Sequence, residues 1–441
     1  MASASFHTLL FLTLPMLVAL QKDYTKKVLL ISMDGFRWDY LNMVDTPNFD
    51  KMAREGVKAP YINVPFVPNT FPSHYSIATG LYDESHGIVG NKMYDPEFGK
   101  YFYMSSKETR WWNDGEPIWI TARKNNLTSA TFFWPGSEAE VQGLRPNFFK
   151  AYDSKVPFKS RVTTVVDWLT CKNIDMVTLY FNEPDHTGHY SGTNSTKLLD
   201  IIKDMDKLLG YIMDQLQSNG LTNQVNVILT SDHGMAERDP DKIINIGQYA
   251  NATLVRDVVN IGPVCTILPQ DGKTQELYNV LKDVHPNMTV YLKRDIPESY
   301  HYKNHRRIMP ILVIMDLPWE CVYNPKRPWN ALATHGWSNE LMSMKPIFLA
   351  RGPNFKHNYT AQPFNSVDIY PLICELLAVP PAPNNGSLSS VQGFLQNTTP
   401  VDPNAPTMKT CPTSKAAGIQ GNGLWILSLI LVSMVKHKNN P

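Results

Sequence analysis

Three short apolar runs, each closed by an acidic residue, constrain this chain more than any other feature. Lys27 to Met33 ends in Asp34-Gly35, Asp175 to Phe181 runs into Glu183-Pro184-Asp185, and Val225 to Ser231 ends in Asp232-His233-Gly234. Continuous apolar segments of this length are the profile of strands buried on both faces, as in a parallel sheet. Between them the pattern turns helical. Thr46-Pro47 opens one helix with Pro near its first turn, and Gly56 follows its end. Leu198, Ile202, Met205, Leu209, Ile212 and Leu216 alternate spacings of four and three, a single apolar stripe on a helix that Gly220 ends. The expected fold is α/β, a mostly parallel central sheet with helices on both faces. Ligands of such sheets gather beyond the carboxyl ends of the strands, so the three acidic ends converge on one rim.

The rest of the chain sets compartment and boundaries. Among 441 residues, 41 basic against 40 acidic side chains leave a formal charge of +1, with no basic excess to hold a phosphate backbone, so a nucleic-acid-binding role is not expected. Aromatics at 11% exclude a disordered chain. No internal repeat is evident. The first twenty residues carry no Lys, Arg, Asp or Glu, and Leu9 to Leu20 is almost wholly apolar, which reads as a signal peptide over 1–21. A catalytic domain is expected over 25–395, then a Pro-, Thr- and Asn-rich stalk over 396–415. An apolar segment over 416–441 follows, suited to a membrane-spanning helix or a lipid-anchor signal. Seven Asn-x-Ser/Thr sequons, at Asn126, Asn194, Asn251, Asn287, Asn358, Asn385 and Asn397, point the same way, to the outer face of the cell. The five cysteines (Cys171, Cys265, Cys321, Cys374, Cys411) are too widely spaced to reveal a pairing, and Cys374 reads as a buried apolar thiol.

Zinc takes His nitrogens and carboxylate oxygens, and two-metal phosphotransfer sites clamp a phosphorus between two ions. The chain offers such ligands in spaced pairs. Asp185 and His189 lie four apart, with Gly188 between them to let the backbone turn; Asp232-His233, Asp34 and His335 complete the set. Thr70, in Asn69-Thr70-Phe71-Pro72-Ser73-His74-Tyr75, precedes a helical pattern over 76–81. From its local sequence it fits either a helix-capping hydroxyl or a nucleophile near a helix N-terminus.

Taken in order, the segments Lys-Val-Leu-Leu-Ile-Ser-Met-Asp-Gly-Phe-Arg, Thr-Phe-Pro-Ser-His-Tyr, Asn-Lys-Met-Tyr-Asp-Pro, Glu-Pro-Asp-His-Thr-Gly-His, Thr-Ser-Asp-His-Gly-Met and Thr-His-Gly-Trp resemble the ectonucleotide pyrophosphatase/phosphodiesterase family of the alkaline phosphatase superfamily. The resemblance spans about 27 to 395 and is that of a compact, single-domain member. It implies a hydrolase with two zinc ions, one held by Asp185, His189 and His335, the other by Asp34, Asp232, His233 and Thr70. Thr70 would be the nucleophile, passing through a phosphothreonine, and Asn91 would donate its amide to a phosphate oxygen. Phe71 and Tyr152 match the aromatic pair that stacks a base in nucleotide-cleaving members. His186 falls off the ligand pattern and is expected to face solvent; His74 and His86 receive no role. Departures from the family are Ser73, Trp337-Ser338 after His335-Gly336, and Leu317-Pro318 before Trp319. Thr70-Phe71-Pro72 resembles nucleotide-cleaving branches, so the expected substrates are nucleotides such as dinucleotide polyphosphates. Leu-Tyr-Phe-Asn-Glu-Pro-Asp-His-Thr-Gly-His resembles the alkaline sphingomyelinase branch, whose substrates are choline phospholipids.

Overall fold

The computed structural model describes residues 24–324 and 330–396. The chain divides into two units, Met1–Lys409 and Thr410–Pro441, and every described residue lies in the first. The signal peptide expected over 1–21, nearly all of the stalk expected over 396–415, the apolar segment over 416–441, the sequon at Asn397 and Cys411 fall outside the described residues. Among the described residues no helix is long and apolar enough to cross a membrane.

An eight-stranded sheet forms the frame: β1 (Val28–Met33), β2 (Val57–Ala59), β3 (Ser129–Phe132), β4 (Phe148–Phe149), β5 (Met176–Phe181), β6 (Asn226–Thr230), β7 (Phe348–Arg351) and β8 (Tyr359–Thr360), in the spatial order β8-β2-β7-β6-β1-β5-β3-β4. All pairings are parallel except those of β7 with β6 and β2, so seven strands run one way and β7 alone opposes them. β1 is the centre. All six of its residues are buried because both of its neighbours and both faces of the sheet are covered.

Alternation along the strands splits the interior into two cores. Val28, Leu30, Met176, Ile228 and Phe348 pack on one side, under α2 (Thr70–Thr79) and α6 (Ile369–Leu377). Leu29, Ile31, Val177, Leu179 and Leu229 pack on the other, under α1 (Pro47–Arg54), α3 (Phe158–Thr170) and α5 (Thr196–Ser218). The mostly parallel sheet with helices on both faces is therefore as the periodicity implied, and all six stripe residues of α5 are buried. One helix boundary differs. The pattern placed a helix from 76 onward, whereas α2 begins at Thr70, because Pro72 is tolerated in a first turn, where backbone amides have no partner within the helix. It ends at Gly80, in the left-handed conformation.

Residues 231–347, between β6 and β7, form an excursion that carries ligand candidates at both of its ends. Its middle is a four-stranded antiparallel sheet, Val255–Asn260, Val264–Pro269, Met288–Leu292 and Ile311–Met315. Cys265 and Cys321 are joined there as a disulfide, a pairing their spacing could not announce; Cys374 is buried and unpaired, as read. On the return, Ala333–Thr334 pairs antiparallel with Ala236–Glu237, which sets His335 beside His233.

Asp206, buried on α5, accepts the Asn48 and Phe49 amides at 2.9 and 3.0 Å and the Asn48 side-chain amide at 2.7 Å. It caps α1 from a distant helix. Asp206→Ala is expected to lower unfolding free energy by about 1–3 kcal/mol in chemical denaturation, since those donors lose their acceptor in a dry contact. Hydrolytic activity at 25 °C should be unchanged.

Candidate active site

The carboxyl ends of β1, β5 and β6 deliver the acidic groups to one rim. Asp34 follows β1, Asp232 follows β6 after Ser231, and Asp185 is the first residue of α4 (Asp185–Ser191), just beyond β5. The ends of β1 and α4 touch: the Asp185 amide donates to the Asp34 carbonyl at 2.9 Å. This approach requires glycine at position 35, which has a φ of +67°. A Cβ there would lie 2.8 Å from that of Asp185.

Asp185 and His189 face the same way because α4 places residues four apart on one face. The sequence reading gave that task to a turn at Gly188. Instead Gly188 makes room for Met235, whose sulfur would lie 2.5 Å from a Cβ. The seven metal-facing candidates all come together. His189 Nε2 is 3.3 Å and His335 Nε2 3.7 Å from Asp185 Oδ1. His233 Nε2 is 3.0 Å from Asp232 Oδ2 and 3.5 Å from Asp34 Oδ1, and the Thr70 hydroxyl lies 3.5 Å from the same nitrogen. The His233 and His335 rings stack at 3.5 Å, joining the two groups.

Each imidazole is oriented from behind. His189 Nδ1 meets the Ala333 carbonyl at 2.8 Å, His233 Nδ1 the Gly234 carbonyl at 2.8 Å and His335 Nδ1 the Pro68 carbonyl at 2.9 Å. A carbonyl only accepts, so a proton sits on Nδ1 in all three rings, and in the neutral ring Nε2 presents a lone pair to the carboxylates. The facing atoms Asp34 Oδ1, Asp185 Oδ1 and Asp232 Oδ2 are buried and have no hydrogen-bond partner among the described residues. Acceptors set against acceptors in a buried place repel one another unless a proton or a cation stands between them. Tetrahedral bonds of about 2.0–2.1 Å separate ligand atoms by about 3.4 Å, close to the 3.0–3.7 Å seen here. The donor set thus fits a bound metal cation.

Electrostatics express the same shortage of positive charge. Burial, then the Asp232 and Asp185 carboxylates, hold the Asp34 carboxyl well above its usual range. Burial acts the same way on Asp232, but the His233 and His74 imidazoles outweigh it and hold that carboxyl well below. Burial lowers His233 and His189, yet Asp232 and Asp185 respectively draw both upward. Burial and the neighbouring His233 push His335 down to about 3, leaving it neutral.

Thr70 occupies the first turn of α2, and the Phe71 amide donates to Asn91 Oδ1 at 2.9 Å. With its oxygen so engaged, Asn91 keeps both Nδ2 protons to donate. Thr70, Phe71, Asn91, Tyr152, Asp34, Asp185, His189 and His335 all line one cavity of about 980 Å³. Phe71 packs on Phe102 and Trp112; Tyr152, 51% exposed, lies edge-on to Phe133. His186 is exposed at the rim and in ring contact with Tyr190.

Several contributors were missed. Tyr180 donates to Asp34 Oδ2 at 2.6 Å, Ser231 to Asp232 Oδ1 at 3.1 Å, and Trp112 and Trp134 line the cavity. His74, with no role in the sequence reading, sits against Thr70 and Asp232. Asp34, His74 and Asp232 could also enclose an ion by distance alone, but His74 Nδ1 is engaged by the Thr70 carbonyl at 2.7 Å. The signal for Tyr180 and Ser231 was polarity within or just after an apolar strand, as at Ser32 in β1; His74, Trp112 and Trp134 carried no such signal. His86 is buried and does not line this cavity; its Nε2 lies 2.8 Å from the Ser76 hydroxyl.

In protein stripped of metal by a chelator, Asp34→Asn should be at least as stable as the wild type at pH 7. Asp34 titrates above its unfolded value, so its stabilising contribution is complete below that value and is lost as pH rises through the folded one. Removing the charge restores about 1 kcal/mol or more, because Tyr180 can still donate to an amide oxygen. Thermal melts from pH 4 to 8 measure the difference, which should widen upward.

Comparison with known proteins places these features in context. A family model described as type I phosphodiesterase / nucleotide pyrophosphatase matches residues 28–338. The ectonucleotide pyrophosphatase/phosphodiesterase family member 5 of Homo sapiens is 40% identical over 88% of this chain and 82% of its own length. A bis(5'-adenosyl)-triphosphatase of Xenopus laevis is 38% identical over 94% of this chain and 90% of its own. Among solved structures, inactive murine family member 5 in complex with AMP superposes with a TM-score of 0.81 at 39% identity, covering 84% of this chain and 100% of that one.

Proposed function

Because the chain belongs to the ectonucleotide pyrophosphatase/phosphodiesterase family and is a hydrolase of that kind, we propose that it cleaves dinucleotide polyphosphates through a phosphothreonine at Thr70. The observation that carries this reading is the Thr70 hydroxyl lining a cavity of about 980 Å³, 3.5 Å from His233 Nε2 and beside the unpartnered carboxylate oxygens.

Asp185, His189 and His335 would hold one zinc ion, and Asp34, Asp232, His233 and Thr70 the other. Bound there, the two ions supply Lewis acidity that acidifies the Thr70 hydroxyl and offsets charge on the phosphoryl and leaving oxygens. Thr70 Oγ1 then attacks phosphorus, and the bond to the leaving nucleotide breaks. Asn91 Nδ2 donates to a non-bridging oxygen, its aim fixed by the Phe71 amide behind it. The N-terminal end of α2 favours the same anion. Water attacks the phosphothreonine in line, releases the nucleoside monophosphate and restores the hydroxyl. Phe71 and Tyr152 would sandwich the base of the retained nucleotide.

Two sets of findings support nucleotides over choline lipids as substrates. The relatives include bis(5'-adenosyl)-triphosphatases, and a similar solved structure carries AMP. We also place the protein at the outer face of the cell, held by its C-terminal segment. Five of the six described sequon asparagines, Asn126, Asn194, Asn251, Asn358 and Asn385, are exposed, as glycan attachment would require.

Purified protein assayed with bis(5'-adenosyl) triphosphate and with sphingomyelin should turn over the first and not the second. Chelation should abolish activity, added zinc should restore it, and Thr70→Ala should lower kcat by about 1,000-fold or more. Phosphocholine release without nucleotide cleavage would refute the substrate assignment, and an active Thr70→Ala protein would refute the mechanism.

A further inference from the structure

His74 is fully buried, four residues after Thr70 on α2. Its Nδ1 lies 2.7 Å from the Thr70 carbonyl oxygen and 3.3 Å from Asp232 Oδ2, while its Nε2 lies 2.8 Å from the Ser32 hydroxyl. The ring stands edge-on to Trp134 and Tyr180, and the Trp134 indole donates to the His74 carbonyl at 2.9 Å. Both neighbours of Nδ1 only accept, so Nδ1 carries the proton; in the neutral ring Nε2 then accepts from Ser32.

We propose that His74 is a positioning residue for the nucleophile. Its Nδ1 proton, given to the Thr70 carbonyl and lying 3.3 Å from Asp232 Oδ2, holds the backbone of Thr70 beside the group at which its hydroxyl reacts. Ser32, on the central strand β1, fixes the ring from the other side. The arrangement matters because Thr70 lies in the first turn of a helix, where the backbone has the fewest internal bonds. A displacement of about 1 Å in a reacting atom costs about 100-fold in rate. The chain of contacts Ser32–His74–Thr70 links the rigid centre of the sheet to the hydroxyl. This inference rests on the proposed role of Thr70.

The full chain carrying His74→Asn, His74→Gln or Ser32→Ala tests it. Asparagine places an amide donor where Nδ1 stood, whereas glutamine carries its amide out toward Nε2 and leaves the Thr70 carbonyl without that donor. With bis(5'-adenosyl) triphosphate, His74→Asn should keep kcat within about 10-fold of wild type and His74→Gln should lose about 100-fold. Ser32→Ala should lose several-fold. KM and zinc content per chain should stay at wild-type values in all three. Equal losses in the Asn and Gln variants, wild-type kcat in the Gln variant, or losses confined to KM or zinc content would overturn the proposal. If His74→Gln does not fold, Ser32→Ala decides, because it keeps the ring and removes only its anchor; wild-type kcat there overturns the proposal. Thr70→Ala in parallel separates the two ideas. If it is active, the nucleophile assignment fails; if it is inactive while His74→Gln is active, only the role of His74 fails.

Discussion

Three carboxylate oxygens and three imidazole lone pairs, all turned inward on one another, are the constraint around which this molecule is organised. Such a set is repulsive on its own. It persists because five of its six members are fixed from behind: Asp34 by Tyr180, Asp232 by Ser231 and the Gly35 amide, and each histidine by a backbone carbonyl. The fold supplies the restoring force and leaves the missing positive charge to something bound. That division suits a hydrolase acting on phosphate esters, whose transition state carries its charge on the phosphoryl oxygens and the leaving group.

The sheet explains how residues as far apart as 34 and 335 arrive at one place. Parallel strands deliver their carboxyl ends to the same edge, so Asp34, Asp185 and Asp232 need only follow three adjacent strands, with β1 between β5 and β6. His335 takes a longer route, through the excursion of residues 231–347 and a two-residue antiparallel pairing that returns it. Thr70 comes from the opposite direction, on a helix packed over one face of the sheet, with its N-terminus at the rim. Catalytic geometry here is therefore a property of the central sheet and of the one helix whose first turn reaches it.

Much of this was legible in the sequence because the signals were strong and local. Apolar runs ending in Asp marked β1, β5 and β6 with their functional ends, and the stripe from Leu198 to Leu216 marked α5. Residue type and spacing marked Asp34, Asp185, His189, Asp232, His233 and His335 as ligand candidates; their division between two ions and the role of Thr70 came from a family resemblance. What sequence hid was long-range or geometric. The start of α2 was obscured because Pro72 reads as a break when it is in fact a first-turn residue. The helical route that joins Asp185 to His189 was mistaken for a glycine turn, since both satisfy a spacing of four. The Cys265–Cys321 pairing depends on how two strands of the excursion meet, and the setting of His74 depends on Ser32 and Asp232, 42 residues before it and 158 after it in the chain.

Two bound cations, as proposed, would complete this set of ligands. Anomalous diffraction at the zinc edge from crystals grown with zinc tests that proposal most directly. The account predicts two peaks, one within about 2.0–2.3 Å of Asp185, His189 and His335, the other equally close to Asp34, Asp232 and His233. A single peak, or peaks away from these side chains, would contradict it.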